Sequence, residues 1–146
     1  MRLEPLYRVR FTYPESWGID LEGGWQQFFF IAEGRCEGGV SGRFRGANYP
    51  RRRTPEGPFC PDIRGVIETD GGGTIMMECR GYGRAYPAGR RQVVGSVVHL
   101  SDSDRYSRLN DVVAMCVGEV RAPALGGGEA DLVMDVAELV WEPIAD

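Results

Sequence analysis

Apolar and polar residues alternate with a period of two along most of this chain, the spacing of β-strands whose two faces meet different surroundings. From Pro5 to Tyr13, the residues Tyr7, Val9, Phe11 and Tyr13 share one face, and Arg8, Arg10 and Thr12 share the other. A loop through Trp17 and Gly23-Gly24 leads to a second segment, Trp25 to Glu37. Its centre, Phe28-Phe29-Phe30-Ile31, is apolar on both faces, which implies cover outside as well as inside and points to a partner subunit. Val40 to Ala47 forms a third segment, with Arg43 and Arg45 on one face. Asp62 to Thr69 and Gly73 to Tyr82 read as a hairpin closed at Asp70-Gly71-Gly72. Arg91 to Leu100, Val112 to Arg121 and Asp131 to Glu142 complete the series.

Between these segments the punctuation is glycine and proline. The stretch Asn48 to Pro61 carries Pro50, Pro55, Pro58 and Pro61, too many for a regular element, and reads as a rim loop. Asp102 to Asn110 is polar and lacks β-branched residues, which suits a single helical turn capped by Ser101 or Asp102. Gly126-Gly127-Gly128 marks a turn within Ala122 to Ala130. No repeat or linker interrupts the 146 residues, so one domain over 1–146 is expected. The architecture this implies is all-β: a single antiparallel β-barrel of eight or nine strands, up-and-down and calycin-like, with one short helical turn. A barrel of that size is either filled by side chains or able to hold one small ligand.

Charge and composition narrow the chemistry. Every one of the basic residues is arginine, so no lysine Schiff base or lysine general base can operate. A net charge of −4 argues against a nucleic-acid partner. There is no apolar run long enough for a membrane helix and no apolar signal core at the N-terminus, from which a cytoplasmic location is expected. Cys36, Cys60, Cys79 and Cys116 are scattered and His99 is the lone histidine, which speaks against a structural zinc site and for buried free thiols. Neither glycine triplet opens a helix or precedes a lysine, so neither is a phosphate cradle.

Candidate proton carriers are few. Asp62, Arg64 and Glu68 share a face, as do Glu78, Arg80, Met76 and Tyr82 on the facing strand. If that face lines a cavity, Asp62 and Glu78 can serve as acid or base while Arg64 and Arg80 polarise a carbonyl; if it is wet, they are ordinary surface pairs. His99 shares a face with Val93, Gly95 and Val97, as a cavity-wall base or as a satisfied structural histidine. Arg51-Arg52-Arg53, beside Tyr49, can hold an anion or stack on a flat ligand, or can be a solvated loop. Trp25, Phe28, Phe30, Tyr49, Tyr82, Tyr106 and Trp141 suit a pocket for a flat molecule or plain packing.

The opening Leu3-Glu4-Pro5-Leu6-Tyr7-Arg8-Val9 resembles the start of the domain-of-unknown-function family 3237 of bacteria and fungi. Gly34-Arg35-Cys36-Glu37-Gly38 with Ser41-Gly42-Arg43, Asp62-Ile63-Arg64 through Thr69-Asp70-Gly71, and Asp104 through Asn110 resemble its later motifs in the same order. Tyr49 stands where a tryptophan is usual. The resemblance implies a small antiparallel β-barrel, often homo-oligomeric, and no established reaction.

Together these readings lead to an expected small-molecule enzyme that uses its barrel cavity, without metal or organic cofactor, for cyclisation, isomerisation or elimination of an apolar oxygenated metabolite. Asp62, Glu78 and His99 are the expected proton carriers; Arg64, Arg80, Tyr49, Tyr82, Tyr106 and Trp141 are the expected substrate contacts. The partners expected are a hydrophobic or aromatic metabolite and a second copy of the chain. The alternative is a non-catalytic carrier or sensor, with an apolar interior and the charges of the Asp62-to-Tyr82 hairpin facing outward. A filled barrel acting as a scaffold is the third reading.

Overall fold

The computed structural model describes residues 1–86, 90–121 and 130–146. Its strands are β1 (Arg2–Leu21), β2 (Trp25–Gly38), β3 (Gly42–Asn48), β4 (Arg51–Arg52), β5 (Phe59–Cys60), β6 (Asp62–Thr69), β7 (Thr74–Tyr86), β8 (Arg90–Leu100), β9 (Ala114–Arg121) and β10 (Asp131–Val140). Each long strand pairs antiparallel with the next, and β10 returns to pair with β1. The result is a closed up-and-down barrel of eight long strands, with β4 and β5 added at one end. Closure pairs both edges of β1 from Tyr7 to Thr12, while its extension from Glu15 to Leu21 pairs with β2 alone.

The alternation read from the sequence is the alternation of the wall. Tyr7, Val9 and Phe11 on β1, Ile63 and Ile67 on β6, Cys79 on β7 and Val93 and Val97 on β8 are buried inside. Arg8, Arg10, Arg43 and Arg45 point outward, where the first of them meets Asp135 at 2.6 Å. β1 runs on well past Tyr13, through the region read as a loop. Pro14, which has no N–H to donate, is absorbed where the β1–β2 register shifts between Thr12 and Glu15, and pairing resumes to Leu21↔Trp25. The proline-rich stretch also departs from its reading. Two short strands fit between its prolines, pairing β2 to β4, β4 to β5 and β5 to β7.

Those extra pairings set the two ends of the barrel apart. β2 and β7 continue beyond the last β2–β3 pair, Phe30↔Asn48, and the first β6–β7 pair, Asp62↔Arg80. β4 and β5 fill the gap and raise the wall there. The other end is plugged. Tyr106 and Leu109, around a 3-10 turn over Ser107–Asp111, are buried, and Asn110 clasps Ser101 by accepting its N–H at 2.7 Å and donating to its carbonyl at 2.9 Å. The turn begins after Tyr106 with no side-chain cap, so the expected cap at Ser101 or Asp102 is not used; the Ser101 hydroxyl instead accepts from Ser103 N–H at 3.2 Å and donates to the Thr74 carbonyl at 2.6 Å. At the β6–β7 turn, Gly72 has φ +94°, a conformation that favours glycine. The expected turn at Gly126-Gly127-Gly128 lies outside the described residues.

Candidate functional site

At the open end the interior becomes a cavity of about 380 Å³. Its floor and walls are apolar: Ile63, Val93, Val120 and Leu132, with Phe30 and Phe59 as flat panels. Below the floor the barrel is filled, by Phe11 against Phe44 (ring centroids 5.2 Å apart) and by Ile67, Ile75, Met77 and Met134. The interior is therefore packed at one end and hollow at the other.

Four polar side chains interrupt the apolar lining, Tyr13 and Asn48 together and Arg90 and Arg91 at the start of β8. Tyr13 ends the inward row of β1, and its ring stacks on Phe30 at 4.5 Å. Its hydroxyl oxygen accepts from Asn48 Nδ2 at 3.0 Å. Asn48, buried at the end of β3, is held in that orientation because its Oδ1 accepts the Asp62 N–H at 3.1 Å. Turning the amide over would lose the bond from the Asp62 N–H, a donor that only the amide oxygen can satisfy. Burial pushes the Tyr13 hydroxyl up to about 12, partly offset by the Asn48 hydrogen bond, so near neutrality it carries its proton. Its O–H remains available to an oxygen atom in the cavity.

The lip carries arginine. Arg91 is on the inward face of β8, two residues from Val93, and its guanidinium carbon lies 4.0 Å from the centre of the Phe59 ring. Arg52, from β4, lies 4.7 Å from the same ring and donates to the Gly57 carbonyl at 2.8 Å. The arginine triplet is thus divided by strand alternation: Arg52 turns inward, Arg51 lines a groove outside, and Arg53 lies 5.6 Å from the ring of Trp25.

The expected site residues separate into three groups. Asp62, Arg64, Glu78 and Arg80 do come together, through the cross-strand pairs Asp62↔Arg80 and Arg64↔Glu78, but on the outer wall. Asp62 lies 3.7 Å from Arg64 and 3.6 Å from Arg80, and Arg64 lies 3.5 Å from Glu78. These ion pairs lie on the outer face, with Asp62 half-buried and its Oδ1 covered by the two guanidiniums, and their inward neighbours are Ile63 and Cys79. Tyr49 and Tyr82 join Asp62 and Arg80 around an open groove on the outside, separate from the cavity.

Tyr106 and Trp141 lie at the far end. Tyr106 plugs the barrel, while Trp141, beyond β10, is 79% exposed.

His99 is inside, 1% exposed, on the face expected from Val93, Gly95 and Val97, but it belongs to the packed end rather than to the cavity lining. Its Nε2 is 2.7 Å from the Tyr7 hydroxyl, and its Nδ1 is buried with no hydrogen-bond partner. Burial lowers its pKa to about 4, so the neutral ring is favoured.

Of the aromatic run on β2, Phe28 and Phe30 face the cavity side, and Phe29 faces out beside Trp17 and Tyr49. The cysteines are unpaired, with Cys36, Cys79 and Cys116 buried. Among the described residues no three His, Cys, Asp or Glu side chains are grouped to hold a metal ion, and no helix is long and apolar enough to cross a membrane.

The polar groups of the cavity, Tyr13, Asn48, Arg90 and Arg91, with Arg52 over Phe59 at its lip, were only partly legible in the sequence. Tyr13 and Arg91 show their inward parity there, whereas Asn48 and Arg52 sit in the irregular stretch whose pairing only the folded chain reveals.

No family model and no curated protein matches this chain. Solved structures do. A β-barrel-like protein from Acinetobacter baumannii AYE superposes with a TM-score of 0.76 at 21% identity, covering 94% of each chain. A protein of unknown function from Clostridium acetobutylicum gives 0.77 at 14% identity, over 96% of this chain and 100% of that one. An enzyme from Penicillium herquei gives 0.65 at 18% identity, over 92% and 93%. At such identities the likeness establishes the fold, a β-barrel-like architecture spanning nearly the whole chain.

Proposed function

We propose that this protein is a small-molecule enzyme that takes a flat, apolar, oxygenated compound into the open end of its barrel and rearranges it there by cyclisation, isomerisation or elimination. The observation that carries this is the Tyr13–Asn48 pair: an oriented, protonated phenol among the apolar walls of the cavity, away from the arginines of its lip. In such surroundings a hydrogen bond to a carbonyl oxygen strengthens as negative charge develops on it. Asn48 Nδ2, donating to the Tyr13 oxygen, spreads any charge the phenol takes on. Flat walls at Phe30 and Phe59 hold a conjugated substrate in one folded shape and keep water away, which favours internal bond formation over hydrolysis. Support of a general kind comes from the Penicillium herquei protein, an enzyme on a similar barrel.

The carrier reading is favoured by one observation, that Asp62 and Glu78 point outward and leave no carboxylate among the cavity-lining residues described. A single comparison separates the two. Aryl ketones and quinones are screened for displacement of N-phenyl-1-naphthylamine fluorescence, and each compound that binds is followed by chromatography and mass spectrometry for a product. The enzyme reading expects product formation that Tyr13→Phe abolishes while binding persists. Binding with no product from any bound compound supports the carrier, and no binding at all refutes both.

A further inference from the structure

Phe59, Phe28, Phe30 and Tyr13 form a continuous row of rings along the inner wall, with successive centroids 5.4, 5.8 and 4.5 Å apart. The Tyr13 hydroxyl stands at one end of this row. At the other end Arg52 and Arg91 both pack over Phe59. Two guanidiniums against one ring repel each other, and among the described residues neither has a carboxylate partner. Their neighbour Arg90, by contrast, reaches Glu119 at 3.6 Å. Arg91 feels the arrangement: burial, and then the charge of Arg52, lower its pKa.

The position is built rather than accidental. Phe59 pairs with Gly83 across β5 and β7. A Cβ at Gly83 would come within 3.3 Å of Arg91 Cδ, so the missing side chain leaves the bed in which the arginine stem lies. Arg52 is tethered by its bond to the Gly57 carbonyl. Cations held this way, at the mouth of an apolar cavity, are suited to an anion that enters with an aromatic body.

We propose that Arg52 and Arg91 form an anion subsite, and that the compound bound is a planar aromatic or conjugated anion whose charged group lies at the Phe59 end of the ring row. This rests on the cavity being the binding site, and it adds the substrate class: the reacting oxygen lies towards Tyr13 and the acidic group towards the lip.

Two fluorescent probes of nearly the same shape test it, anionic 8-anilinonaphthalene-1-sulfonate and uncharged N-phenyl-1-naphthylamine. Both are titrated into the wild-type protein, Arg91→Met, Arg52→Gln and Arg80→Gln. Met keeps the stem over Gly83, Arg52→Gln leaves β8 untouched, and Arg80 lies on the outer wall as a control for net charge.

The expected result is that Arg91→Met and Arg52→Gln each weaken the anionic probe about tenfold, the loss of one charge-assisted contact. They leave the uncharged probe within about twofold, and Arg80→Gln changes neither. Equal effects on both probes, no effect on either, or an equal loss in Arg80→Gln overturns the subsite while leaving the cavity in place. If neither probe binds the wild-type protein, the cavity reading falls as well.

Discussion

The buried imidazole of His99 makes the stability of this barrel depend on pH between about 4 and 6.5. His99 is the lone histidine of the chain. In the unfolded chain it titrates at its ordinary value of 6.5, and in the folded barrel burial holds its pKa near 4. A folded-state pKa below the unfolded one means that, between these values, the unfolded chain binds a proton the folded chain refuses. Stability is therefore full above pH 6.5 and falls as the pH is lowered towards 4. At 1.36 kcal/mol per pKa unit, the loss between pH 7 and pH 4.5 is about 2 kcal/mol.

Two salt-bridged carboxylates act below this window. Asp70 beside Arg35 and Asp135 beside Arg8 are both held below the usual carboxylate value of 3.8, so their contribution is lost only at lower pH. Urea unfolding followed by tryptophan fluorescence at pH 7, 6, 5 and 4.5 measures the slope directly. His99→Gln, which can still donate to the Tyr7 hydroxyl but does not titrate, is expected to flatten it. Equal stability at pH 7 and 4.5 in the wild-type protein, or an unchanged slope in His99→Gln, would refute a neutral, desolvated ring.

Three further outcomes are expected. Asp62→Asn and Glu78→Gln, which alter ion pairs of the outer face, should shift the midpoint of thermal unfolding by no more than about 1 kcal/mol equivalent and leave probe binding within about twofold; a large loss of binding would move the site to the outer groove. Asn110→Ala removes both bonds to Ser101 and should cost about 1–2 kcal/mol in urea unfolding, without changing probe affinity, because the plug and the cavity are at opposite ends. Met76, Val94, Val98, Leu100, Met115 and Val117 are exposed side by side on the outer face of β7 to β9. We propose that this face, interrupted by Glu78 and Ser96 opposite Val98 and Met115, meets a second copy of the chain, so sedimentation should give a dimer for the wild-type protein and a monomer for Val98→Glu.

The period-two pattern was enough to place most strands and to separate the two faces of each, because both depend on neighbours in sequence and on whether a side chain is apolar. Tyr7, Val9, Phe11, Val93, Val97 and His99 point inward as that pattern requires. The same rule applied to Asp62, Arg64, Glu78 and Arg80 puts them opposite Ile63, Ile67 and Cys79, and the apolar partners take the inside. Reading those charges as cavity residues set the chemistry they offered against the cost of burying them, and burial decides.

What pattern cannot supply is height along the barrel axis. His99 and Val93 share one face of β8, yet His99 lies in the packed end and Val93 lines the cavity. That difference arises from ring closure between β1 and β10, which fixes the stagger of every strand, and from the short β4–β5 pairing that extends the wall at one end alone. Tyr13, Asn48, Arg52 and Arg91 come from four strands separated by up to 78 positions in the chain, and they meet only because that closure brings their ends to a common rim. The local chemistry of the wall was written in the alternation of residues; the site was made by long-range pairing.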